Sequence, residues 1–244
     1  EVFANGASSS TLVVAAGIGS VGIGSTSPSF PLDASTISKA NIAAANSFIY
    51  STGSAIFGGA NHLISGDFDV IAGGANAHIS GGNFNFIGGG TGINVDRSKY
   101  SSSVGGFNND IYSGDYSVIG GGLNNLISGI ASDSHVDKVA IVGGEGNKVI
   151  SAPYTFIGAG NSNLISGTNS IYSSIVGGGY NKIQSGQFAS ILGGDNNIIS
   201  GNYSLAAGRY SHVQAAHEGA FVLSDSNTTP TLSSGSNTLV LNFK

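Results

Sequence analysis

The chain has 244 residues, 40 of them glycine, with 9% charged side chains, a net charge of −5 and no cysteine, methionine or tryptophan. Without cysteine there is no disulfide scaffold, thiolate nucleophile or Cys-ligated zinc site, and eight Lys and Arg against thirteen Asp and Glu exclude the basic surface of a nucleic-acid binder. An apolar content of 40%, rich in Ile and Val, can bury a core, while so much glycine disfavours long helices, so the composition describes an ordered, glycine-rich β protein.

The chain opens on an apolar stretch, Thr11 to Gly24, that is too short and too interrupted by glycine to cross a bilayer as a helix. It reads as one or two strands within an N-terminal segment, residues 1–36. From Thr52 a unit of fifteen residues recurs, as in Asp115-Tyr-Ser-Val-Ile-Gly-Gly-Gly-Leu-Asn-Asn-Leu-Ile-Ser-Gly129. Ten copies start at Thr52, Asp67, Asn83, Tyr100, Asp115, Lys138, Pro153, Tyr172, Gln187 and Asn202. Interruptions fall at Gly82, Ser98-Lys99, Ile130 to Asp137 and Thr168 to Ile171, and residues 37–216 form the repeat domain. The last 28 residues, 217–244, read as a separate β cap or assembly segment.

Position 5 of the unit holds Ile56, Ile71, Ile87, Val104, Ile119, Val142, Ile157, Val176 and Ile191. Position 7 is nearly always glycine, including Gly58, Gly73, Gly121 and Gly193, and position 10 is usually asparagine, including Asn61, Asn124 and Asn196. Two short β-branched strands, at positions 2–5 and 11–13, are therefore expected between corners of Gly and Asn, residues that accept left-handed backbone. Stacked at ~4.8 Å, such units make an all-β fold, a parallel β-solenoid of about ten coils. Both neighbours in pairs such as Val118-Ile119, Ile141-Val142 and Leu126-Ile127 are apolar although they point to opposite faces. Two apolar faces require a second burial site in every coil, and packing of chain on chain along the rod supplies it.

Ser-Val-Ile-Gly at 117–120, Ser-Leu-Ala-Ala-Gly at 204–208 and Tyr-Ser-His-Val-Gln-Ala at 210–215 resemble the head repeats of YadA-like trimeric autotransporter adhesins. Similar Asn/Gly-rich repeats occur in phage-type tail fibres, and the segment Val21 to Asp33 resembles a short stretch of fibre proteins. The resemblance implies a left-handed β-roll and a homotrimer.

Chemistry is sparse. The insert 130–137 brings together Asp133, Ser134, His135 and Asp137, which reads as a solvated loop and a candidate binding insert, since a flexible loop does not preorganise a triad. Asp67 and Asp69 would share one strand face, roughly 7 Å apart, at the separation of an inverting glycosidase pair. Several other copies of the unit hold Asn, Ser, Thr or Tyr at these positions, which favours two exposed charges at a corner. Gly-Gly-Asp-Asn-Asn at 193–197 is similar to calcium-binding repeats but offers only the carboxylate of Asp195, and stacked Asn side chains suit the pattern better. His62, His78 and His212 read as surface or corner residues. No catalytic residue, cofactor or metal is expected. The sequence describes an extracellular structural or adhesive fibre module, a homotrimer presenting its inserts to a cell-surface glycan or protein receptor. The alternatives are a filament polymerising end to end through its terminal strands and, third, a polysaccharide-cleaving fibre.

Overall fold

The structure, a computed structural model, describes residues 21–22, 32–33, 39–41, 44–129, 136–225 and 228–243. The chain divides into a small unit, residues 1–38, and a large one, residues 39–244. In the small unit Val21–Gly22 pairs in parallel with Leu32–Asp33; the remainder of the apolar stretch 11–24 lies outside the described residues.

The large unit is the β-solenoid. Its strands are two to six residues long and fall into two parallel sheets of thirteen and twelve strands, wound as about twelve coils with no helix among the described residues. Short strands follow from the sequence, because a left-handed corner interrupts each coil every few residues. Asn61, Asn124 and Asn196 make such corners as expected, with φ of 59°, 55° and 55°. Between corners, backbone N–H groups donate to the carbonyls of the next coil, as Val118 does to Val139 and Ala140 to Thr155.

One inward row on each sheet forms the core. In the first sheet Ile56, Ile71, Ile87, Ser103, Ile119, Ile141, Ile157, Ile175 and Ile191 stack in register, followed by Ala206 and Val222. The second sheet answers with Ile64, Ile79, Val95, Ile111, Ile127, Val149, Ile165, Ile183 and Ile199. All of these isoleucines are fully buried within one chain, each contributing on the order of 2–3 kcal/mol.

This register corrects the predicted core at three places. Val104, Val142 and Val176 are 52–56% exposed, and the inward places belong to Ser103, Ile141 and Ile175, one residue earlier. The cause is the coil length. Ile71, Ile87, Ser103 and Ile119 follow one another at steps of sixteen, so Gly82 and Ser98-Lys99 are ordinary parts of coils and not insertions. Two of the expected insertions remain as enlargements, a step of 22 between Ile119 and Ile141 and one of 18 between Ile157 and Ile175, and a further step of 18 separates Val222 from Val240. The expected boundary at 216 is crossed by both sheets: Val222 stacks on Ala206, Val240 on Val222, and Leu232 on His212.

The glycine pair that closes each first-sheet strand divides its labour. The second glycine is the constrained one: Gly74 has φ +96°, and a Cβ there would lie 2.2 Å from the carbonyl oxygen of Gly90. Gly59, Gly122 and Gly194 repeat that geometry. The first glycine, expected to be the corner, is free of that clash, although Gly121 and Gly193 keep φ of +156° and +142°. Gly58 and Gly73 are outside the left-handed region and a Cβ on either would meet nothing within 4 Å; Gly193 has the same open space, and Gly121 only a carbonyl at 4.0 Å. Gly74→Ala should therefore cost more than about 3 kcal/mol through clash and backbone strain, whereas Gly73→Ala should stay within about 0.5 kcal/mol for the folded chain. Urea unfolding of the two variants measures the contrast.

Candidate interaction surface

Coil stacking turns each repeat position into a row, and the rows of the first sheet's outer face are unusual. One runs from Ala55 through Phe86, Val118 and Phe156 to Phe221 and Leu239; the other runs from Phe57 through Val104, Val142 and Val176 to Leu192 and Leu241. Neither row holds an Asp, Glu, Lys or Arg, although solvated surfaces normally carry about a quarter to a third of such residues. Bulk alternates between the rows from coil to coil. Phe86 accompanies Gly88, the next coil has Ser102 with Val104, then come Val118 with Gly120 and Ala140 with Val142. The second sheet presents Asn94, Asp96, Asp110, Lys148 and Lys182 outward, so only one of the two faces expected to be apolar is so throughout.

A third row borders the first sheet. Phe68, Phe84, Tyr100, Tyr116, Tyr154, Tyr172, Phe188 and Tyr203 all sit in left-handed backbone, with φ between 51° and 61°. Their rings stack along the axis at centroid spacings of 4.9 to 5.4 Å, and each ring remains roughly half exposed. Lys138 takes the one internal gap. Its Nζ lies 4.6 Å from the centroid of the Tyr154 ring and donates to the Tyr154 hydroxyl at 3.2 Å. Left-handed backbone is an outlier for bulky side chains. Stacking, worth about 0.5–1.5 kcal/mol a pair, offsets that strain in the folded chain.

On the far side of the same sheet, inside the corner, runs a buried amide row: Asn109, Asn125, Asn147, Asn163, Asn181 and Asn197. Each Oδ1 accepts the backbone N–H of the residue one coil on, as from Asn163 to Asn147 at 3.0 Å, and the last, that of Asn197, accepts from Ser211. The Nδ2 of Asn147 donates to Gly143 and Gly160 carbonyls, both at 2.9 Å, stitching two coils at once. These Asn side chains do stack, as the sequence suggested at the corner. His62 heads the same row and is 1% exposed, so it is not a surface residue; its Nδ1 accepts the Ala77 N–H at 3.2 Å, and burial lowers its pKa.

Of the candidate chemical groups, Asp133, Ser134 and His135 lie outside the described residues. Asp137 is half-buried and begins the coil after the insert, its carbonyl accepting the Tyr154 N–H. Asp67 and Asp69 do not share a face. Phe68 between them has φ +58°; Asp67 accepts from Thr52 N–H at 2.9 Å, while Asp69 points inward and is fully buried. That separation removes the glycosidase pairing. Asp195 accepts from Asn196 and approaches Arg209 at 3.5 Å, and no group of three His, Asp or Glu that could hold a metal occurs among the described residues.

Asp69 belongs to a second buried polar row. Ser54, Asn85, Ser117 and Ser173 each donate across the coil's closing corner, to the carbonyls of Gly66, Ser98, Val136 and Gly186. Asp69 Oδ1 accepts the Asn85 N–H at 2.7 Å, but its Oδ2 has no hydrogen-bond partner. Oδ2 and the Gly82 carbonyl oxygen both border the space where a Gly66 Cβ would sit, at 2.4 and 2.2 Å from it. Burial raises the Asp69 pKa from 3.8 to about 6, hydrogen bonds from Asn85 pulling the other way.

No protein-family description matches this chain, and no curated protein matches it significantly. The rows themselves are therefore the functional evidence. No helix among the described residues is long and apolar enough to cross a membrane.

Proposed function

We propose that the chain is a structural and adhesive fibre module of an extracellular or virion surface, assembled as a homotrimer around the outer face of its first sheet. The observation that carries this reading is the charge-free pair of rows on that face, set against the charged outer face of the second sheet. Burying uncharged rows between copies removes apolar area from water at ~25 cal/mol per Å² without stranding a charge. The second sheet and the enlargement between Ile119 and Ile141 then face outward, where a glycan or protein receptor is met. The coil tolerates that enlargement because both sheets continue in register across it. We assign the module no reaction.

The reading is tested by mass and by attachment. Sedimentation should return three times 24.2 kDa. Deleting residues 130–135, which keeps the buried Val136 and returns the step from Ile119 to Ile141 to sixteen, should leave the far-UV spectrum and the assembled mass unchanged while abolishing attachment to the host surface. A well-folded 24.2 kDa monomer sinks the assembly, and undiminished attachment moves the receptor site off the insert. A filament growing end to end is the second reading, favoured by Leu239, Leu241 and Phe243, which are 56–62% exposed at the outermost described strand. Electron microscopy separates finite rods from long polymers.

A further inference from the structure

In most coils the first glycine of the corner pair has no explanation inside the chain, Gly121 and Gly193 with φ of +156° and +142° being the exceptions. At Gly58, Gly73, Gly89 and Gly105 the backbone is outside the left-handed region and a Cβ would meet nothing within 4 Å. Any small side chain would fit there, yet from Gly58 to Gly193 the position is glycine in every coil but that of Ala159. A bare strip of backbone is thus kept along the solenoid by something that approaches from outside.

The aromatic ladder has the opposite surplus: half-exposed rings held in strained backbone. The two features match in spacing. Six of the eight rings precede a first glycine by five residues, as in Phe84 and Gly89, Tyr100 and Gly105, or Tyr172 and Gly177, while Tyr154 precedes Ala159 and Tyr203 the constrained Gly208. A strand of the first sheet lies between them, so ladder and strip flank the same charge-free face at roughly 16 Å separation. No ring can fill the strip of its own coil. A second copy can, because its ladder carries the same coil-by-coil rise.

We infer that the aromatic ladder of one copy packs into the glycine strip of the next, as the seam of a closed ring of copies. This rests on the homo-oligomeric reading above and names the two surfaces that meet. The contact joins unlike surfaces, ladder to strip, and such contacts close into rings when the rotation allows. Its size suffices. Eight half-exposed rings offer roughly 100 Å² apiece, about 800 Å² per copy, which is what a stable interface buries on each partner. The seam also accounts for the lone Ala159, since a methyl is the smallest obstruction the strip can take.

The test uses the whole chain with Gly89→Leu, Gly105→Leu and Gly143→Leu combined. Each leucine points into space that the chain's own fold leaves open, so the β spectrum should persist while the assembled mass falls to that of single chains. An assembled triple variant overturns the seam but leaves the oligomer reading standing; a monomeric wild type overturns both. Should the variant misfold, the wild type decides by nitration with tetranitromethane. Tyr100, Tyr116 and Tyr172 are 49–55% exposed in a single chain, as against 69% for Tyr50 on the second sheet. In the assembly the three should react at least tenfold more slowly than Tyr50. Rates equal to that of Tyr50 overturn the inference.

Discussion

Asp69→Asn should stabilise the chain at neutral pH by about 2–3 kcal/mol, an unusual outcome for a buried substitution. The amide keeps the acceptor that Asn85 N–H uses and supplies the donor that every hydrogen-bonded neighbour in the row has, copying Asn85 and its bond to the Ser98 carbonyl. The gain follows from the proton. Folding raises the Asp69 pKa to about 6 from 3.8, so the folded chain holds this proton more tightly than the unfolded one. Stability from the group is complete below pH ~3.8 and is lost as pH rises through about 6. The variant lacks that dependence. Urea titrations of both proteins at pH 4 and pH 7.5 give the result as a difference of differences. Equal gaps at the two pH values would show that Asp69 does not titrate in this window.

The second large effect is a contrast between neighbours. Ile119→Asp places a carboxylate in a row that is fully buried within one chain and should cost several kcal/mol, enough to unfold the surrounding coils whether or not copies associate. Val118→Asp, one residue earlier, changes an outward position that is 39% exposed. It should leave the monomer's unfolding free energy within about 1 kcal/mol and weaken association at least a hundredfold. Circular dichroism reports the first variant and concentration-dependent sedimentation the second. An Ile119→Asp chain that stays folded would mean that the core row can open to water.

These residues also mark what could be read before the structure. Isoleucine returning near every fifteenth residue, with Gly-Gly and Asn corners between, was enough for the solenoid, because few other folds repeat a buried β-branched side chain with so little sequence in between. The frame was harder. In Ile141-Val142 and Ile175-Val176 either member can fill the core, and a strand of two residues has too few alternations to choose. Where Ser103 and Val104 compete, hydrophobicity chose wrongly; the left-handed corner at Tyr100 (φ 55°) and the glycine turn at Gly106 fix which side chain faces in. The same one-residue slip hid the aromatic ladder. Tyr100 and Tyr172 were aligned with Asp67, although they belong with Phe68 and Phe84. Buried Asp69 was illegible for another reason: only the fold distinguishes an inward from an outward position beside a corner.

Among the described residues, backbone hydrogen bonds link each coil to the next, and in stacked parallel strands such bonds run along the stacking direction. A pull on the two ends therefore loads successive coils in series, and the force each one feels is the whole force. Rupture starts at the weakest coil and proceeds by peeling, each event releasing sixteen residues, about 54 Å of slack. A rod stitched in this way yields stepwise and lengthens before it parts.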